Sequence, residues 1–261
     1  MKLALALTVI ASLVTTAGSV AAAPDGYADV RGGSFRSVIA GDASGGVATV
    51  EDFSIRVTPV TRGEFFDFIR RHPQWQRGQV ATTLADDGYL SGLSADGLSS
   101  EDARRPVTSV SWFAAEAFCE SEHARLPTWN EWEYVAAADE TRADARDDAQ
   151  WRARILSWYA RPANVSPPIV GGGANVYGVR DLHGVVWEWV DDFNALLVDA
   201  DSRSGTDADK LKFCGAGTTN LKERENYAIL MRVALLSSLR ARDSTPSLGF
   251  RCARSRSKDS K

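Results

Sequence analysis

The residues best suited to chemistry gather in Asn175-Val-Tyr-Gly-Val-Arg-Asp-Leu-His-Gly-Val-Val-Trp-Glu-Trp-Val190, where Glu188 stands between Trp187 and Trp189. Side chains alternate along an extended segment, so the two indoles share one face and the carboxylate takes the other. A carboxylate buried among large rings is costly unless it is compensated by an arginine, backbone amides or a bound cation. Cys119, Cys214 and Cys252 are the only thiols, and His72, His123 and His183 lie in separate elements without metal-ligand spacing. No glycine-rich phosphate loop, Gly-x-Ser-x-Gly elbow or Cys-x-x-Cys pair is present.

Short elements must position these residues. Phe53 to Val60 alternates as a half-buried strand that Pro59 ends. Thr61-Arg-Gly-Glu64 has capping-box spacing and opens a helix with Phe65, Phe66, Phe68 and Ile69 as its apolar stripe, stopped at His72-Pro73. Residues 76–105 form a long polar connection anchored by Tyr89, Leu90 and Leu93. Pro106 to Trp112 reads as a strand, followed by a helix from Ser111 to about His123. Thr128-Trp-Asn-Glu131 repeats the capping box, and residues 139–154 read as a solvated extension of its helix. Residues 162–173 are loop, residues 191–209 a second, acidic loop, Phe213 to Gly217 a strand, residues 223–242 helical or mixed, and Leu248 to Ala253 a closing strand. Short elements among long loops, without an internal repeat, indicate one irregular α+β domain over residues 24–254.

The chain has 261 residues, 44% hydrophobic and 25% charged, enough for a sizeable core. Residues 1–23 read as a secretory signal peptide: a basic start, a short apolar run and small residues near Ala22 and Ala23. No other segment has the length and apolarity of a membrane span. An exported chain, in the bacterial periplasm for example, meets an oxidising compartment in which one disulfide and one odd thiol are expected. Net charge is -4 with dispersed basic residues, which argues against nucleic acid; residues 255–261 read as a disordered tail.

Four segments carry a resemblance: Val57 to Phe65, Pro106 to Tyr134, the tryptophan motif, and Leu248-Gly-Phe-Arg-Cys252. In this order they resemble the formylglycine-generating enzyme, or sulfatase-modifying factor, family, whose fold is an elaborated C-type-lectin-like domain with little regular secondary structure. The resemblance implies a Cys119–Cys252 disulfide; a further bridge of some members falls on Ala136 and Val233, so both of its halves are absent. Active members oxidise a substrate cysteine with two thiols that bind copper(I), a soft ion. Those positions fall near Glu223 and on Ala228, so copper chemistry is not expected. The carboxyl third is similar to a NirV-like branch lacking the thiol pair, which implies an accessory or maturation role toward a partner protein or peptide, such as a periplasmic metalloenzyme; the competing expectation is a divergent oxidoreductase.

The resemblance also assigns sites. Calcium would be bound by Glu188 and the carbonyls of His183, Gly184 and Val186, with Val185 in place of the family's asparagine. The alternative partner for Glu188 is an arginine, Arg180 or Arg251. A second calcium site at Asn164 and Val165 lacks its downstream acid and is expected to be empty. Trp189, Tyr227 and Arg232 would line or support a substrate groove, or else serve as core packing and a structural ion pair. Cys214 is expected to be a free thiol, reactive or buried and inert.

Overall fold

A computed structural model describes residues 26–39, 46–93, 97–159, 166–196 and 227–256. The first segment forms two strands, β1 (Tyr27–Val30) and β2 (Gly33–Arg36), and between them the backbone at Gly32 passes so close to Val50 that a Cβ there would lie 2.2 Å from its carbonyl oxygen. β2 pairs antiparallel with β3 (Val47–Val50), and β1 with β4 (Phe53–Arg56). β4 is the central strand of a three-stranded sheet completed by β7 (Ala253–Ser255).

Helix α1 (Arg62–Arg71) starts as its capping box dictates: Thr61 accepts from the Glu64 amide, Glu64 accepts from the Thr61 amide, and Phe65, Phe68 and Ile69 are buried. α2 (Trp112–Ser121) is capped by Ser111. The strand expected before it does not form. Ser109 adopts a left-handed φ of 55° and its amide donates to Thr245, so the extended run is broken and only an isolated bridge joins Thr61 to Pro106. α3 (Trp129–Ala136) has the second capping box, at Thr128 and Glu131.

The sequence reading of residues 139–154 is corrected. The Asp139 carboxylate accepts from the amides of Thr141 and Arg142, turning the chain at the end of α3, and Asp148 accepts from the Trp151 amide to start a separate helix, α4 (Ala149–Tyr159). Nor is the stretch solvated throughout: Ala145, Arg146 and Trp151 are buried. α5 (Tyr227–Ser237) packs beside α4, with Ala228 in the same apolar cluster as Trp151 and Ile155.

The closing strand also divides. β6 (Leu248–Gly249) pairs in parallel with β5 (Trp187–Glu188), and the following residues carry the chain across to β7. The carbonyls of Phe250 and Cys252 accept from Val60 and Arg56, joining the two sheets. Phe65, Phe68, Phe118 and Phe250 form the aromatic centre of the core. Beside it Cys119 on α2 is bonded to Cys252 with Cα atoms 5.5 Å apart, and both residues are fully buried. The architecture is thus a loop-rich α+β domain, as expected. Among the described residues no helix is long and apolar enough to cross a membrane.

Candidate functional site: a buried charge centre and an indole-lined cleft

The parallel pairing of β5 with β6 sets Glu188 beside Gly249, two residues before Arg251. Gly249 is required here, since a Cβ would lie 2.4 Å from the Val107 carbonyl oxygen. Arg251 then forks the Glu188 carboxylate: Nε donates to Oε2 and Nη2 to Oε1, each at 2.8 Å, with both side chains fully buried. Trp132 Nε1 donates to Oε2 at 2.9 Å. Arg251 spends its remaining donors on the carbonyls of Arg56, Val57 and Arg180. The Arg232 guanidinium donates to the Glu188 carbonyl and stacks 3.6 Å from the Trp132 ring centre.

Of the two partners open to Glu188, the structure therefore supplies the arginine, and it is Arg251; Arg180 instead donates to Gly172. The guanidinium thereby occupies the position a cation would take against both carboxylate oxygens of Glu188. Among the described residues no group of three or more His, Cys, Asp or Glu side chains could hold a metal ion. Asn164, Val165 and Cys214 lie outside the described residues.

Of the two readings open for Trp189 and Arg232, the geometry matches core packing. Trp189 is fully buried, donates Nε1 to the Val110 carbonyl at 2.9 Å and meets Phe193 edge-on, while Arg232 is buried under Trp132, so both belong to the core. Both faces of the tryptophan motif are covered, since Glu188 and Trp189 are buried alike. Tyr227 opens α5, its side chain lying outside the described part.

A second carboxylate, Glu133, is fully buried on α3. It accepts from Ser37 Oγ at 2.6 Å, the Val38 amide at 2.8 Å and Trp129 Nε1 at 2.8 Å, and Arg146 stands at 3.4 Å. Burial pushes its pKa up against these donors. Its work is to clamp the β2–β3 hairpin onto α3.

The open chemistry lies nearby. A cleft of about 300 Å³ runs between α4 and residues 168–185, with Trp151, Trp158 and His183 on its apolar side and Asp139, Glu140, Asp181 and Arg154 among its polar groups. Gly184, at φ 83°, is the position where Trp158 crosses the motif, and a Cβ there would lie 2.6 Å from the indole. His183 is walled by three indoles, Trp132, Trp151 and Trp158, and its Nε2 lies 2.8 Å from the Ala136 carbonyl oxygen. Burial lowers its pKa to about 4, so the ring is neutral at pH 7 and Nε2–H donates to that carbonyl. His72 instead caps α1 and His123 occupies a left-handed turn after α2. The Asp181 carboxylate accepts from the amides of Gly171 and Gly172, holding the glycine loop to the rim.

Sequence reasoning missed Trp151, Trp158, Arg154 and Glu140. The signal for the two indoles was the spacing Trp151, Ile155, Trp158, an apolar stripe at helical period that begins inside the segment 139–154, read by its charge alone, and continues past it.

A loop-rich α+β domain with a buried Glu–Arg centre in its tryptophan motif and a disulfide tying α2 to the segment before β7 defines the class. The chain belongs to the sulfatase-modifying factor enzyme 1-like family, which matches residues 15–256. It is 32% identical over 164 residues to hercynine oxygenase of Mycobacterium tuberculosis, covering 55% of this chain and 38% of that one. It is 31% identical over 173 residues to the formylglycine-generating enzyme of Streptomyces coelicolor, covering 57% and 52%. Against the inactive C-alpha-formylglycine-generating enzyme 2 of Bos taurus identity is 24% over 253 residues, covering 78% of each. The chain thus spans about half or less of the length of the first two relatives. The solved structure of PvdO from Pseudomonas aeruginosa aligns with a TM-score of 0.47 at 19% identity, covering 87% of this chain and 93% of that one.

Proposed function

We propose that this is an exported accessory or maturation protein of the NirV-like kind, binding a partner protein or peptide in the periplasm and lacking the copper thiol pair. The observation that supports this most is the fate of the cysteines. Of three in the chain, Cys119 and Cys252 are bonded to each other and buried, leaving Cys214. A copper(I) centre built on two thiolates needs a pair of free thiols. One position of that pair carries Ala228, buried on α5. Similarity along most of both chains to a relative named as inactive points the same way.

The similarity to an oxygenase favours a second reading, an oxidase that holds its metal by other ligands. Purified protein incubated with copper, oxygen and a cysteine-containing sulfatase peptide separates the readings. The expected result by mass spectrometry is unmodified peptide. Conversion of the cysteine to the aldehyde would overturn the proposal, and stoichiometric copper or iron in the purified protein would favour the oxidase. Capture from periplasmic extract is expected to yield one stoichiometric partner; an empty capture counts against the accessory role.

A further inference from the structure

Arg62 opens α1, and its amide donates to the Arg105 carbonyl at 2.8 Å, which sets the two residues side by side. Their guanidiniums face one and the same carboxylate oxygen, Asp102 Oδ1, at 3.9 Å from Arg62 Nη1 and 3.3 Å from Arg105 Nε. Arg105 has other acceptors, the Pro167 carbonyl and Glu101 Oε1, each at 2.6 Å. For Arg62, Asp102 is the one ion-pair partner among the described residues, and 3.9 Å is beyond hydrogen-bond length. Asp102 is not free to close that gap, because Ser99 Oγ donates to its Oδ2 at 2.7 Å and accepts from its amide at 3.0 Å.

The Arg62 side chain is nevertheless only 15% exposed. Three costs coincide on it: the charge is largely withdrawn from water, it stands in the first turn of a helix where the dipole repels a cation, and a second guanidinium lies beside it. Burial, and after it the Arg105 charge, hold its pKa below the ordinary arginine value. A guanidinium cannot shed its proton near neutral pH to escape these costs, so relief has to come from an anion. Room for one exists beside Nη2, where the neighbour is Gly92; a Cβ added there would lie 4.0 Å from that nitrogen.

We propose that Arg62, with Arg105 beside it, forms an oxyanion site for a doubly charged tetrahedral anion, phosphate or sulfate. Two planar guanidiniums offer donors to several oxygens at once, and a single carboxylate oxygen shared between them leaves most of those donors unused. The site contains no residue of the tryptophan motif or of the indole-lined cleft, so it stands or falls independently of the partner-binding reading.

Calorimetric titration of the full chain with inorganic phosphate, at an ionic strength held constant with chloride, measures the site. Saturable binding is expected with a Kd on the order of 1 mM. Sulfate should compete with phosphate, and acetate should bind at least about tenfold more weakly because it brings one charge and two oxygens. Arg62→Gln should weaken phosphate binding at least about tenfold. Gly92→Asp, a change at an exposed turn, sets a carboxylate on the chain itself beside Nη2 and should abolish phosphate binding; it keeps the test decisive should Arg62→Gln fail to fold. Absence of phosphate binding by the wild type overturns the proposal. So does acetate binding as tight as phosphate, or wild-type affinity for phosphate in Arg62→Gln or Gly92→Asp.

Discussion

Replacing Glu188 by glutamine tests the charge centre on which the tryptophan motif is built. The side chain keeps its shape but loses its charge, and its new amide points donors at Arg251, which already donates to Oε1 and Oε2 at 2.8 Å. Arg251 is fully buried and cannot turn to water, so the variant carries an uncompensated cation in the core. Breaking a buried pair in this way costs about 3–5 kcal/mol. For a domain of this size that corresponds to a fall in Tm of roughly 6–20 °C. Urea unfolding with calorimetry, each with and without a calcium chelator, provides the measurement. A companion variant, Glu188→Leu with Arg251→Met, removes both charges and should recover about half of the loss, leaving about 1–3 kcal/mol because Trp132 Nε1 loses its acceptor. A loss below about 1 kcal/mol in Glu188→Gln would refute the reasoning. So would a wild-type Tm that drops in chelator to that of the variant, since the carboxylate would then serve calcium rather than Arg251.

Three further outcomes are expected. Non-reducing digestion should link Cys119 to Cys252 and leave Cys214 alkylatable once the chain is unfolded, and replacing both bonded cysteines by alanine should lower stability by about 5 kcal/mol on the chain-entropy model for a separation of 133 residues; a peptide joining Cys214 to either of the others would contradict the structure. His183, lowered by burial from 6.5 to about 4, binds its proton in the unfolded chain before the folded one. Its contribution is therefore intact above about pH 6.5 and is lost as pH falls toward 4, by at most about 3 kcal/mol. His183→Gln should flatten that part of the stability-versus-pH curve, and an unchanged slope would show that the ring is solvated.

The parts of the fold legible in the sequence are those governed by contacts three or four residues apart. Thr61 with Glu64 and Thr128 with Glu131 state where α1 and α3 begin, because the donor, the acceptor and the first-turn geometry all lie within one turn. Tyr89 and Leu90 were readable as anchors of a polar connection from their size and apolarity and are buried, while Leu93, read the same way, is half-buried against the core. The α3–α4 break was not readable as a helix end: Asp139 and Asp148 serve as turn and cap only through the side-chain bonds they make, and the charge of the segment masked its apolar stripe.

By itself, the sequence determined the family, the α+β class, the helix starts and, through the family resemblance, the pairing of Cys119 with Cys252. Tertiary structure alone decided which cation Glu188 meets, because its partner comes from the segment between β6 and β7, 63 residues away, and is brought there by the β5–β6 pairing. The same holds for Trp189 and Arg232, whose types suit a groove or a core equally well until the elements covering them are placed. The cleft of Glu140, Arg154 and Trp158 likewise exists only once α4 lies against residues 168–185, since a concave surface is a property of packed elements and not of any one segment.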